Sequence, residues 1–194
     1  MNTLTRSLLL MMLALSCFAG QLVAQVKDPV IVPQREMPWE KFSPAGGGFT
    51  VLLPGKPVAN ETPIETKIGT LINHSFIIEL YPMAYMVGYA GFPSPVTDTE
   101  TIRRMLDGAR DQALSQKGME LKSETEIKLR TNFGRDWVVN APSGLLRARA
   151  YWANQRLYQL VVFIPKSEAG TINSNSESLA SKFLDSFALE EVKQ

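Results

Sequence analysis

Reactive side chains are scarce in this chain. Its one cysteine is Cys17 and its one histidine is His74. A mature form without residue 17 can do no thiol redox chemistry, has no cysteine nucleophile, and lacks the Cys/His sets that hold zinc or copper. A serine triad would have to rely on His74, and no Gly-x-Ser-x-Gly elbow is present to carry its nucleophile. An excess of either charge is also missing: 20 Lys and Arg stand against 19 Asp and Glu. Nucleic-acid binding needs a basic excess or stripe, and adsorption to anionic membranes needs a basic cluster; neither is expected here. Beyond residue 24 there is no apolar run near the ~20 residues a membrane-spanning helix requires.

What is present begins with an export pattern. Arg6 precedes the apolar run Leu8 to Leu15, and small residues follow. Residues 1–24 read as a signal peptide, with cleavage after Ala19 or Ala24. Ala14-Leu15-Ser16-Cys17 also resembles a bacterial lipoprotein signal, in which the cysteine is acylated, although the usual order of Leu and the small residue is exchanged. Cys17 is therefore the candidate lipidation site and the one expected route to a membrane. Residues 25–38 carry Pro29, Pro33 and Pro38 with no periodic pattern and read as a flexible tether. Val30-Ile31-Val32 could add a short edge strand. Residues 39–190 form a single expected domain and 191–194 a tail.

Within the domain, Phe49 to Leu53 alternates and stops at Pro54-Gly55, a strand and a turn. Asn60 to Lys67 reads as an exposed strand. Ile72, His74, Phe76, Ile78 and Leu80 share one face of the next strand, and Tyr85, Val87 and Tyr89 one face of its return. Gly88 and Ala90, on the opposite face, would let a helix lie close. Thr97-Asp98-Thr99-Glu100 has capping-box spacing and opens a helix expected to run to Lys117. Strand patterns follow from Met119 to Leu129, Arg135 to Asn140, Leu145 to Ala153 and Leu157 to Pro165. Asn132-Phe133-Gly134 reads as the first of their turns. Leu160 to Ile164 is apolar on both faces, as a central strand covered on two sides must be. Ser174-Asn175-Ser176-Glu177 opens a last helix. Short turns cannot join parallel strands. The expected fold is therefore α+β, an antiparallel sheet sandwiched by helices, in the order strands, helix, strands, helix.

Tyr151 to Tyr158, with its modest turn, resembles a hairpin of the PsbP-like fold family. Ser181-Lys182-Phe183-Leu184-Asp185-Ser186-Phe187 resembles that family's closing helix. The stretches Trp39 to Pro44 and Gly47 to Gly55 are similar to uncharacterised exported bacterial proteins of this type. The family includes the lumenal PsbP protein of photosystem II, the bacterial envelope protein DcrB and a Ran-binding import factor. The resemblance implies a PsbP-like domain that acts by binding. The chain departs from plant PsbP throughout the N-terminal arm, so a photosynthetic role is not implied.

Several residues invite a functional reading. His74 could be a general base, but a histidine between Ile72 and Phe76 on an apolar face reads better as a buried, hydrogen-bonded core residue. Gly46-Gly47-Gly48 lacks the Lys-Ser or Lys-Thr and the helix of a phosphate loop, and reads as an entry turn. Glu124 and Glu126, beside Lys122 and Lys128, read as solvated cross-strand pairs. Arg147 and Arg149 share a strand face with Tyr151, the best anion or partner patch, unless acidic residues of a neighbouring strand neutralise it. Tyr81, Tyr85, Tyr89 and Phe92 are a candidate aromatic contact surface, against ordinary core packing. No cofactor or metal is expected. The expected function is a non-enzymatic binding or accessory domain of the bacterial cell envelope, periplasmic or extracellular, whose partner is a protein or small ligand. The alternatives are a lipid-tethered scaffold lipoprotein and an enzyme with an unrecognised hydrolytic site.

Overall fold

The computed structural model describes residues 38–66, 69–167 and 169–190. The leader, Cys17, Val30-Ile31-Val32 and the tail 191–194 lie outside the described residues, as does all of the tether except Pro38. In chain order the elements are β1 (Glu40–Phe42), β2 (Phe49–Leu53), β3 (Val58–Thr66), β4 (Gly69–Leu80), β5 (Met83–Gly91), α1 (Thr99–Ala113), β6 (Glu120–Leu129), β7 (Asn132–Ala141), β8 (Gly144–Ala153), β9 (Arg156–Pro165), α2 (Ser174–Asp185) and β10 (Ala188–Leu189). Over the described residues the fold is mixed α+β, with a large antiparallel sheet and two helices.

Seven strands form that sheet, in the order β3-β4-β5-β9-β8-β7-β6. Two meanders, β3 to β5 and β6 to β9, meet where β9 pairs antiparallel with β5. β9 is the central strand, and Leu160, Val161, Val162 and Ile164 are all buried. Its two-sided apolar pattern follows from cover on both faces. The edge strand β3 contains Pro63, which a central strand would not tolerate because proline donates no ladder hydrogen bond.

Side-chain alternation divides the interior into two cores. On one side Tyr85, Val87, Tyr158, Leu160 and Val162 pack against Phe183 and Leu184 of α2 and against Phe49, Val51 and Leu53 of β2. On the other, Trp137, Val139, Ala148 and Ala150 pack against Ile102, Leu106 and Ala109 of α1. Helix α1 contacts β7 and β8, so the small residues beneath it are Ala148 and Ala150, not Gly88. Gly88 has a different neighbour: a Cβ there would come within 2.9 Å of the His74 carbonyl on β4.

Three local readings are corrected. Asp98, not Thr97, caps α1, accepting from the Thr101 amide at 2.8 Å, and Asn173, not Ser174, caps α2. All four are good N-cap residues, so composition does not choose between neighbours. Helix α1 ends at Ala113, and Gly118 takes its left-handed φ of 83° in the turn that follows. The β6–β7 turn is Arg130-Thr131, with Arg130 at φ 57°, and Asn132, Phe133 and Gly134 belong to β7. The two-residue strand β10 pairs with β2, and β1 flanks β2 on its other side, forming a small second sheet. Ser186 ties these parts together. Its hydroxyl donates to the Phe183 carbonyl at 2.7 Å and accepts from the Leu52 amide at 2.8 Å.

Candidate functional site

Arg147, Arg149 and Tyr151 share the β8 face that looks toward α2, and each is occupied. Arg147 donates to the Ser181 hydroxyl at 2.9 Å. Arg149 donates to Asp136 on the neighbouring strand at 2.6 Å and to Asp185 of α2 at 2.7 Å. Burial alone would lower the Arg149 pKa, but the hydrogen bonds to Asp136 and Asp185 outweigh it and hold the guanidinium above its ordinary value. Tyr151 is buried and stacks on Phe187, centroids 5.6 Å apart and rings 1° from parallel. Burial raises its phenol pKa. Gly134 lies opposite on β7 and leaves the room this ring needs, since a Cβ there would fall 2.5 Å from Tyr151 Cδ1. The three residues bind β7, β8 and α2 to one another.

The aromatic group does not form one surface. Tyr85 and Tyr89 are buried in the α2-side core, and burial pushes the Tyr85 phenol up to about 12. Phe92 packs edge-on against Trp152 in the α1-side core. Tyr81 alone is open, 85% exposed in the β4–β5 turn. Parity explains the split: residues 85 and 89 point one way and residue 92 the other.

His74 is half-buried, with 28% of its side chain exposed, rather than a core residue. It stands midway along β4, beside the edge strand β3. Its Nδ1 lies 3.0 Å from Glu61, its direct partner on β3, and its ring stacks on Tyr89 at 4.6 Å. Arg156 lies 5.3 Å from the Tyr89 ring centroid and donates to the Gly46 and Gly47 carbonyls at 2.7 and 2.8 Å. The Tyr158 hydroxyl also donates to Gly47, at 3.1 Å. The glycine turn is thus pinned through its carbonyls, the opposite of a phosphate loop, which presents amides. Among the described residues no group of three or more His, Cys, Asp or Glu side chains could hold a metal ion, and no helix is long and apolar enough to cross a membrane.

The arrangement with free chemistry lies elsewhere, between α1 and the β6–β7 hairpin. Pleating puts Glu124, Glu126 and Lys128 of β6 on the same face as Phe133 and Arg135 of β7, through the pairs Glu126↔Arg135 and Lys128↔Phe133. Helical spacing brings Arg103, Asp107 and Arg110 of α1 down beside them. Arg135 reaches Asp107 at 2.9 Å, Glu126 at 3.2 Å and Glu124 at 3.6 Å. Arg110 holds Glu124 and Asp111, each at 2.7 Å. Desolvation would lower the Arg110 pKa, but the hydrogen bonds to Asp111 and Glu124 prevail and raise it. Glu126, 58% exposed, is a solvated cross-strand pair with Arg135, whereas Glu124 is mostly buried and belongs to a helix-to-sheet ion network through Arg110.

Next to the network is a pocket of about 280 Å³, lined by Arg103, Leu106, Glu126, Lys128, Phe133 and Arg135 among others. Leu106 is 1% exposed and Phe133 half-buried, and together they give it an apolar floor. Arg103 and Lys128 approach the Phe133 ring centroid to 5.8 and 5.9 Å. Arg103 meets Glu126 only at 3.8 Å, too far for a hydrogen bond. Among the described residues Lys128 has no carboxylate partner. Reading Asn132-Phe133-Gly134 as a turn removed Phe133 from its strand and hid this site. The pairing of Lys128 with Phe133 was the signal that could have revealed it.

No protein-family profile and no curated protein matches the sequence. Among solved structures the chain is similar to the cyanobacterial PsbP protein (CyanoP) of Synechocystis sp. PCC 6803. That match has 12% identity and a TM-score of 0.49, and covers 85% of this chain and 98% of that one. It is also similar to the Ran-binding protein Mog1p of Saccharomyces cerevisiae, with 9% identity and a TM-score of 0.46, over 79% of this chain and 96% of that one.

Proposed function

We propose that this chain is an exported, non-enzymatic binding domain of the bacterial cell envelope, and that it recognises its target through the pocket between α1 and the β6–β7 hairpin. The PsbP-like reading of the domain rests on its hairpin and closing-helix motifs, and export rests on the leader pattern of residues 1–24. Acylation at Cys17 would make the protein membrane-tethered; cleavage after Ala24 would make it free. One observation carries the binding reading. Arg103 and Lys128 flank an aromatic ring at a pocket mouth without a hydrogen-bonded acceptor among the described residues. The arginines of β8 and β9 are committed instead to Ser181, to Asp136 and Asp185, and to the glycine carbonyls. Pockets with an apolar lining and a few convergent polar groups are the usual ligand sites.

The test has two parts. Intact mass spectrometry of the protein recovered from envelope fractions distinguishes a diacylglyceryl-modified Cys17 from a free N-terminus after Ala24. A fragment screen by amide NMR should shift residues around Leu106, Lys128 and Phe133. Shifts clustered elsewhere would remove the pocket from the reading. Hydrolytic turnover abolished by His74→Ala at unchanged melting temperature would remove the non-enzymatic part.

A further inference from the structure

We infer that the pocket takes a compact monoanion with a flat apolar body, of the aryl-carboxylate class. This inference rests on the binding reading above and specifies its ligand. The floor is apolar: Leu106 at its base and the Phe133 ring at its side. A volume of about 280 Å³ is at the small end for ligand sites. It suits one ring and a short polar head, not a nucleotide or a long acyl chain.

The polar side is set by charges with different degrees of freedom. Arg135 is 16% exposed and already shared among Asp107, Glu124 and Glu126. Arg103 has 45% of its side chain exposed and meets Glu126 only at 3.8 Å. Its planar fork is the group able to take a carboxylate through two parallel hydrogen bonds. Lys128 on β6, 5.9 Å from the same ring centroid, can approach the same anion as a mobile point charge.

Glu126 limits the ligand's charge. Its carboxylate lines the same pocket, held by Arg135 at 3.2 Å. Arg103, Lys128 and Arg135 bring three positive charges there, and Glu126 and Asp107, both within 3.2 Å of Arg135, bring two negative ones, so one incoming negative charge leaves the mouth neutral. A phosphate dianion would face Glu126 with an excess negative charge. A cation would have to displace Arg103 or Lys128 from the Phe133 face. The same apolar body without its charge would leave the guanidinium unpaired.

The test titrates the full chain, in the processed form recovered from cells, with four probes followed by amide NMR: benzoate, benzamide, benzylamine and inorganic phosphate. Benzoate should shift the Leu106, Ile127 and Phe133 amides saturably, with Kd on the order of 0.1–1 mM for so few atoms. Benzamide, benzylamine and phosphate should each bind at least about tenfold more weakly, since two charged hydrogen bonds are lost or opposed. Arg103→Gln should weaken benzoate about tenfold or more, and Lys128→Gln severalfold. Both residues are exposed, so the melting temperature should not move and a failed fold cannot be mistaken for lost binding. Benzamide, benzylamine or phosphate matching benzoate at these amides would overturn the ligand class while leaving the pocket as a binding site. No shift at the pocket from any probe would overturn both.

Discussion

Replacing Arg149 with methionine separates a structural guanidinium from one held for a ligand. Arg149 is 18% exposed and Asp136 is 23% exposed, with 2.6 Å between their polar atoms. At an effective dielectric near 20, opposite charges about 4 Å apart attract by about 4 kcal/mol before desolvation is subtracted. Taking both groups largely out of water removes more than half of that, which leaves a coupling of about 1–2 kcal/mol. The second arm is weaker, because Asp185 is 63% exposed and exposed pairs contribute about 0.5 kcal/mol. Methionine keeps the aliphatic stem but leaves the Asp136 carboxylate unpaired and mostly buried. The cost is then about 2–3 kcal/mol, below the ~3–5 of a fully buried orphan charge. For a domain of this size that lowers Tm by about 5–10 °C. Urea unfolding followed by circular dichroism should give this loss for Arg149→Met. A cycle with Asp136→Asn should return the coupling, and Asp185→Asn should fall within about 0.5 kcal/mol of the parent. An Arg149→Met protein as stable as the parent, with no coupling to Asp136, would refute the reasoning and restore Arg149 as an anion site.

Other perturbations reach different parts of the fold. Gly134→Ala would put a Cβ 2.5 Å from Tyr151 Cδ1 and 2.7 Å from the Ala150 carbonyl, so it should destabilise by about 1–3 kcal/mol, despite the ~0.4–1 kcal/mol that Gly→Ala gains through the unfolded chain; a more stable variant by urea melt would contradict the packing. Phe183→Ala empties a fully buried site beside Tyr85 and should cost about 3–5 kcal/mol; a loss under about 1 would mean that α2 is not anchored there. The Thr101 hydroxyl and amide donate to Asp98 and hold its carboxyl below the usual carboxylate range. A depressed folded-state pKa gives stability that is present above the unfolded value, near pH 4, and lost as pH falls through the folded one. The stability gap between the parent and Asp98→Ala should therefore close as pH drops below about 4, and a gap unchanged at pH 2.5 would exclude the carboxylate as the cap.

Most of the sheet was legible because burial imposes a period of two. Phe49 to Leu53, Tyr85 to Tyr89 and Leu160 to Ile164 declare their faces by alternation, or by its absence in the central strand. The errors fall where the local signal is degenerate. Arg130 occupies a left-handed turn position usually given to Gly or Asn, so the turn was displaced onto Asn132-Phe133-Gly134. Thr97 and Asp98, or Asn173 and Ser174, are all residues that cap helices, and only the first turn's geometry selects one. β10 is two residues long and leaves no periodicity to detect. The candidate site was hidden for another reason. Arg149 meets Asp185, and Arg103 and Arg135 meet Glu126, across elements far apart in sequence or through a hairpin register that one wrong turn destroys. A single strand shows that Arg147 and Arg149 share a face, but not which acids already occupy them. For Arg149 the pairing with Asp136 on the neighbouring strand, weighed against a free patch, is the arrangement found.

The small sheet governs how the domain can be presented. β1, the first described strand, and β10, the last, flank the same short strand β2, and all three cover the face shared with α2. The described residues therefore begin and end on one side of the body. That side is the one opposite α1, so the first and last described strands do not themselves cover the α1 face. A linker from β10 back to β1 could close this part of the chain, and new ends be opened at the Asn154-Gln155 turn, without rethreading the sheet.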